Sequence, residues 1–313
     1  MMPQQPQLAG EPAGRIPPVG ELVNTLEVAA IARRKLDSLT FAAIGDEAGA
    51  GRTAFDRITF RPRLMVNATG LDLTTELFGL RMFAPILAGP ASMQQRFHPD
   101  AEVGMARGAA AAKGVLIVSE QSSQPLAKIA AECAAGFWYQ GASRGKIEEA
   151  VKIGCKAVCL TGDGVDWATI DLLRKGLAVP FLLKGVMSAA EARTAVERGM
   201  QGIVVSNYRG PGVSGLAASI EVLPAIAEAV AGRVPLLIDG GFRRGSDILM
   251  ALALGASAVL VTRPVLWGLA AYGAPGVQHV LESLQSELAR DMAMCGKVNI
   301  ASIDKTAVRL HRR

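Results

Sequence analysis

The run Pro235-Leu236-Leu237-Ile238-Asp239-Gly240-Gly241-Phe242-Arg243-Arg244-Gly245 decides how the rest of the chain is read. It opens as a short apolar stretch behind a proline, with no polar alternation, which is the pattern of a strand buried on both faces. It then places one carboxylate and two glycines before a helical pattern that starts near Ser246. Glycines let the backbone approach an anion, so successive N–H groups can point at phosphate oxygens beside a helix N-terminus. Arg243 within the run, and Arg263 after the next apolar stretch, offer charge-assisted bonds from two sides. The run therefore predicts strand, turn and helix with a phosphate seat at Asp239–Gly245.

Outward from this unit the same pattern repeats. Pro85–Pro90, Val115–Ser119, Gly136–Gln140, Ala157–Asp163, Pro180–Val186, Gly202–Asn207, Pro235–Gly241 and Ala258–Pro264 are short, apolar throughout and bounded by Gly or Pro. Helical stretches separate them. Ser188–Gly199, for example, has a serine to cap its start and a glycine at its end. Such an alternation predicts an α/β fold, a single (β/α)8 TIM barrel with an N-terminal helical extension. A doubly wound open sheet is the alternative, but its glycine fingerprint follows the first strand. Here the glycine-rich turns come late, where barrels hold phosphate. Ahead of the barrel, Glu21–Leu36 and Asp46–Ile58 read as amphipathic helices. Together with Arg61–Leu80 they are expected to cap the bottom or flank of the barrel. Residues 1–18 are expected to be disordered, leaving 19–313 as one domain.

Composition narrows the partners. Half of the 313 residues are hydrophobic and 19% are charged, as in a well-buried globular enzyme. The net charge of +5 is spread along the chain without a Lys/Arg block, which argues against a nucleic-acid surface. No apolar stretch reaches the roughly 18–20 residues of a membrane helix. The Pro/Gln/Gly-rich start does not read as a signal peptide. Cys133, Cys155, Cys159 and Cys295 show no metal-ligand spacing and read as buried free thiols, so no metal is expected and a cytoplasmic protein is.

In a parallel barrel, functional groups collect at the C-terminal ends of the strands. Those ends carry Ser92, Ser119-Glu120-Gln121, Gln140, Thr161-Gly162-Asp163, Lys184, Ser206-Asn207-Tyr208, Asp239 and Thr262-Arg263. Lys184 closes the apolar run Phe181-Leu182-Leu183 and needs an anionic or acceptor partner. As a residue type it suits a Schiff-base lysine, an electrostatic partner to an electron-accepting ring, or half of a salt bridge to Asp163 or Asp239.

Several stretches resemble the FMN-dependent α-hydroxy acid oxidase/dehydrogenase family. They are Phe60–Arg63 (FRPR), Pro85–Gln94 (PILAGPASMQ), Leu160–Asp163 (LTGD), Leu183–Val186 (LKGV), Val205–Asn207 (VSN), Asp239–Gly245 (DGGFRRG), Ala251–Ala256 (ALALGA) and Arg263-Pro264. The similarity runs from about residue 20 to about residue 300. It implies FMN as cofactor, with Ala91 and Ser92 beside the isoalloxazine ring and Ser119, Gln140 and Thr161 on its pyrimidine edge and ribityl side. It places Lys184 at N1/O2, where its charge favours the reduced flavin, and Ser206 and Asp239 on the ribityl chain. Gly240, Gly241, Arg243 and Arg263 then hold the phosphate. A small-molecule substrate and a homo-oligomer, a tetramer by resemblance, are further implications.

The substrate side departs from the family pattern. The family's base is a histidine directly after Ser-Asn, followed by an arginine for the carboxylate. Here Tyr208 stands after Ser206-Asn207, and the run continues Arg209-Gly210-Pro211. Gln140 is followed by Gly141 rather than leading to a tyrosine, and the long loop after the fourth strand is mostly absent. The chain's three histidines, His98, His279 and His311, lie far from these positions in sequence. A phenol, which titrates near ~10, is a poor general base at neutral pH. The expectation is an FMN-dependent oxidoreductase acting on a different substrate, with Tyr208, Asp163 and Lys184 as candidate catalytic groups and Glu120, Gln121 and Arg209 around them. Alternatives are a non-catalytic FMN-binding protein or a flavin-dependent isomerase, and third, conventional 2-hydroxy acid oxidation.

Overall fold

The computed structural model describes residues 14–45, 51–162, 164–208 and 216–311. Eight parallel strands close into a barrel in sequence order: β1 (Ile86–Ala88), β2 (Val115–Ser119), β3 (Phe137–Gln140), β4 (Val158–Thr161), β5 (Phe181–Val186), β6 (Gly202–Val205), β7 (Leu236–Asp239) and β8 (Ala258–Val261). β8 returns to β1 with Val259 opposite Ile86. Each strand falls inside the segment expected for it. Several expected segments run past the end of the ladder into the turns, through residues such as Ser206-Asn207 and Gly240-Gly241.

Side-chain parity divides the barrel into two cores. Leu87, Val115, Ile117, Trp138, Ala157, Cys159, Leu182, Val204, Leu237, Ala258 and Leu260 point inward and form one cluster. Their neighbours, such as Leu116, Phe137, Leu160, Phe181, Ile203 and Ile238, pack outward under the helices. Inward and outward faces are both apolar, which is why the strands show no alternation. Below, a hairpin of Thr75–Leu77 and Leu80–Met82 closes the floor. Its two-residue turn holds Phe78 and Gly79 at φ 50° and 73°, so both adopt the left-handed conformation that such turns demand. Phe78 meets Trp138 edge-to-face at 5.4 Å.

The crossover helices carry legible signals. Ala189–Glu197 begins on Ser188, which forms a reciprocal capping box with Glu191. At the seat, the helix starts at Gly245.

The N-terminal extension differs from expectation in two ways. Its first helix, Thr25–Lys35, lies within Glu21–Leu36 and is capped by Asn24. The second expected helix, Asp46–Ile58, is instead a 3-10 turn at Arg52–Arg57 entered through Gly51 in the left-handed region; residues 46–50 lie outside the described residues. A short helix, Ser38–Ile44, precedes it. Part of the expected cap does close the floor, since the hairpin begins within Arg61–Leu80, while the helices of the extension lie elsewhere. Thr25–Lys35 packs on the helix Arg263–Tyr272, and Ala43 and Ile44 reach the mouth of the barrel. Of the stretch 1–18 that was expected to be disordered, residues 1–13 lie outside the described residues. Within 14–18, the Pro17 carbonyl accepts the Tyr272 hydroxyl at 2.6 Å.

The two ends of the domain meet where strand Ile58–Phe60 pairs antiparallel with Val308–Leu310. All four cysteines are free, and burial pushes the Cys133, Cys155 and Cys159 thiols up to about 12. Among the described residues no helix is long and apolar enough to cross a membrane, and no cluster of side chains suits a metal ion.

Candidate functional site

Parity builds the site. One step past the apolar layers, the same inward-facing positions become Ser119, Gln140, Thr161, Lys184, Ser206, Asp239 and Thr262. The barrel interior is thus oily for two layers and polar in the last, at the end where barrels carry function. A cleft of about 800 Å³ opens there. Ala91, Ser92, Ser119, Gln140, Thr161, Lys184, Tyr208, Asp239, Gly240, Gly241, Arg243 and Arg263 all line it. Ser206 does not, and Asp163 and Arg209 lie outside the described residues.

Lys184 is only 4% exposed, and its ammonium is 2.6 Å from Asp239 Oδ2. It also donates to Ser206 Oγ at 2.8 Å. Of the open partners for this lysine, Asp239 pairs with it; Asp163 lies outside the described residues. Such a pair keeps a fixed charge in a low-dielectric mouth because each ion offsets the other's desolvation. Ser206 belongs behind Lys184, orienting it, rather than on the cleft wall as expected. Its oxygen also accepts the Tyr208 backbone N–H at 3.4 Å.

Tyr208 stacks on this pair, with the Lys184 nitrogen 4.6 Å from its ring centroid. Room for the ring comes from Gly185, which sits at φ +102° in a register shift between Lys184 and Val186. A Cβ at Gly185 would lie 2.8 Å from Tyr208 Cε1.

The expected phosphate seat is assembled from three directions. Gly240 and Gly241 turn with φ of +100° and +87°. Asp247 Oδ2, one turn into the following helix, accepts the N–H groups of Arg243 at 2.8 Å and Arg244 at 2.9 Å. The Arg243 guanidinium is buried over the Trp267 ring at 4.9 Å and donates to the Phe242 carbonyl at 2.8 Å. Thr25 of the extension donates to the Arg243 carbonyl at 2.6 Å. From the long C-terminal helix Ala274–Met294, Glu287 accepts Arg244 Nε at 2.8 Å and Gly245 N–H at 2.6 Å. Arg263 lies against Gly45, whose carbonyl accepts the Trp267 indole N–H at 3.1 Å.

Across the barrel the wall is sparser. Ser92 Oγ donates to Gln121 Oε1 at 3.1 Å. Glu120, a candidate catalytic neighbour from sequence, spends one oxygen on the Ala142 and Ser143 amides at 2.7 and 3.0 Å, so it serves the loop after β3. Lys146, which the sequence pattern did not single out, stands on the cleft wall 3.8 Å from the other Glu120 oxygen, with a half-exposed side chain. It sits in a helix, Arg144–Ile153, off the strand ends where the search for functional residues was made. Thr262 was visible as the continuation of the Ala258, Leu260 parity. Arg52 and Asp247, discussed below, had no local signal beyond a helix-start carboxylate.

The fold and the turn together define a (β/α)8 barrel with a glycine–arginine turn and a buried lysine–aspartate pair in its mouth. Comparison with known proteins takes this further. The family model for FMN-dependent dehydrogenases matches residues 39–165 and 162–310. A peroxisomal (S)-2-hydroxy-acid oxidase of Oryza sativa subsp. japonica is 32% identical over 91% of this chain and 95% of its own. An L-lactate oxidase of Nostoc sp. is 32% identical over 92% of this chain and 98% of its own. Among solved structures, mandelate oxidase with (S)-2-phenylpropionate superposes with a TM-score of 0.87 at 32% identity, over 93% of this chain and 100% of that one. The chain therefore belongs to the FMN-dependent dehydrogenase family and is an FMN-dependent oxidoreductase.

The family match breaks just after β4, and the alignment to the rice oxidase runs over 349 residues against 313 in this chain. The relatives thus carry segments that have no counterpart here. The residues present fit FMN. The turn at Gly240–Gly241 admits no side chain, because a Cβ at Gly241 would lie 2.7 Å from the Phe55 ring and one at Gly240 3.1 Å from Asn207 Oδ1. Arginines flank this bare backbone, as a phosphate requires, and Lys184, paired with Asp239 at the start of the turn, also lines the cleft.

Proposed function

We propose that this protein performs flavin-dependent redox chemistry on a substrate other than the 2-hydroxy acids for which its relatives are named. The observation that carries this is the absence of histidine from the cleft wall among the described residues. The chain has three histidines. His98 makes a contact with Asp100, His279 lies on the C-terminal helix, and His311 bonds Thr59 near the chain end. None is placed to remove a proton from a substrate carbon in the cleft. Tyr208 holds the position after Ser206-Asn207 instead.

In this reading Ala91, Ser92, Ser119, Gln140 and Thr161 hold the ring and ribityl side of FMN, and Asp239 bonds the ribityl chain. Gly240, Gly241, Arg243 and Arg263 hold its phosphate, and the bound flavin supplies hydride exchange. Lys184 keeps positive charge at the ring end, fixed by Asp239 and Ser206. Tyr208, packed over that ammonium, acts as a proton donor, the role a neutral phenol fills best. Reduction of an activated C=C or C=O bond matches such a donor. Lys146 is the cation of the wall beyond Lys184 and the phosphate seat among the described residues, and it suits an acidic or acceptor group on the substrate.

A second reading draws on the same contact. Tyr208 fills the space that Gly185 leaves, so its ring can serve as a plug in an FMN-binding protein without turnover. Purified protein is expected to show flavin absorbance, and anaerobic mixing with L-lactate, glycolate or mandelate is expected to leave it oxidised. Rapid bleaching by any of the three refutes the proposal. Once a turnover is found the non-catalytic reading falls, and Tyr208→Phe then tests the donor: loss of rate supports proton donation, and an unchanged rate leaves the ring a space-filler.

A further inference from the structure

The N-terminal extension reaches the phosphate seat from behind, and Arg52 is the residue that makes the connection. It opens the 3-10 turn Arg52–Arg57 and is not part of the cleft wall. Its guanidinium lies 2.6 Å from Asp247 Oδ2 and donates to the Gly241 carbonyl at 3.3 Å. It stacks 5.0 Å from the centroid of Phe55, and that ring packs edge-on to Phe242 at 5.4 Å. The same Asp247 oxygen accepts the Arg243 and Arg244 amides. One carboxylate oxygen therefore gathers two donors from the loop and one from the extension.

Asp247 is 1% exposed, so its charge is deprived of water. Burying a carboxylate is costly unless a counter-charge accompanies it. Arg52 is that counter-charge. It matters doubly here, because an uncompensated carboxylate behind the seat would repel an incoming phosphate. The same guanidinium nitrogen, Nη1, also ties the Gly241 carbonyl back, which turns the glycine backbone toward the cleft.

We propose that Arg52 is a positioning residue for the flavin phosphate, acting through Asp247 and Gly241 without touching the ligand. This rests on the assignment of the Asp239–Gly245 turn as the FMN phosphate seat. It predicts an effect on the phosphate alone, which distinguishes positioning from general support of the fold. Full-length wild type, Arg52→Met and Arg52→Lys are stripped of flavin and titrated with FMN and with riboflavin, following flavin fluorescence. In Arg52→Met the Kd for FMN is expected to rise on the order of tenfold to a hundredfold, the worth of one charge-assisted interaction. The Kd for riboflavin, which lacks the phosphate, is expected to stay unchanged. Arg52→Lys should fall between, since an ammonium keeps the charge but sits on a shorter stem without the planar group that stacks on Phe55. If Arg52→Met does not fold, Arg52→Lys carries the same FMN-against-riboflavin comparison. Equal weakening of both ligands overturns the proposal, as does an unchanged FMN affinity beside a tight wild type. A wild type that binds neither flavin removes the seat assignment itself.

Discussion

Substituting Gly185 with alanine tests how the mouth of the barrel is packed, and its cost separates into two parts. The backbone part arises because Gly185 sits at φ +102°, a conformation that costs a residue with a Cβ about 1–3 kcal/mol. The steric part arises because the new Cβ would lie 2.8 Å from Tyr208 Cε1, well inside the roughly 3.5–4.0 Å of carbon–carbon contact. Forcing such an overlap in a packed site costs about 1–3 kcal/mol. Gly185→Ala is therefore expected to destabilise by about 2–6 kcal/mol in the wild-type background. In Tyr208→Ala the steric part vanishes and about 1–3 kcal/mol remains. The difference is a coupling energy, measured by urea unfolding of the four proteins of the cycle. Equal costs in both backgrounds would show that the Tyr208 ring does not rest on Gly185. A negligible cost in the wild type would refute the left-handed backbone itself.

Two further outcomes follow from buried charges, the Lys184–Asp239 pair and Asp291, which is 4% exposed and lies on the C-terminal helix beside Arg290 at 3.0 Å. Lys184→Met strands Asp239 without its partner at 2.6 Å and is expected to cost about 3–5 kcal/mol, while adding Asp239→Asn should restore most of the loss; equal stability of single and double variants would contradict the pairing. Burial raises the carboxyl of Asp291, so between its unfolded and folded pKa values the folded protein binds more protons, and stability falls as pH rises through that window. Asp291→Asn should accordingly raise the Tm at pH 7, with the gain shrinking as pH drops toward the ordinary carboxylate range; a gain independent of pH would rule out burial as its cause.

The barrel was legible because each strand is apolar on both faces and is bracketed by glycine or proline, as in Pro235–Gly241. The floor hairpin escaped notice because its strands are three residues long, too short for any period to register. Asp46–Ile58 looked helical from its apolar spacing, yet Gly51 at φ +89° opens a 3-10 turn there. Most of the cofactor side could be read from strand ends, since parity carries Leu182 to Lys184 and Leu237 to Asp239. Ser206 shares that parity, but Lys184 leans across it and takes its hydroxyl. Contacts such as Arg52 with Gly241, 189 residues apart, leave no trace in local pattern and had to await the fold.

The seat's dependence on Glu287 has a consequence for how the protein comes into being. Glu287 follows Gly245 by 42 residues and lies on the last long helix. A growing chain has made every barrel strand before this residue leaves the ribosome, and Thr25 has waited 218 residues for its partner at Arg243. Contacts this remote close late, after the loops between them have been ordered. A phosphate seat built from these residues is complete only when both contacts have closed, so retention of FMN is expected to report that the N-terminal extension and the last long helix have packed.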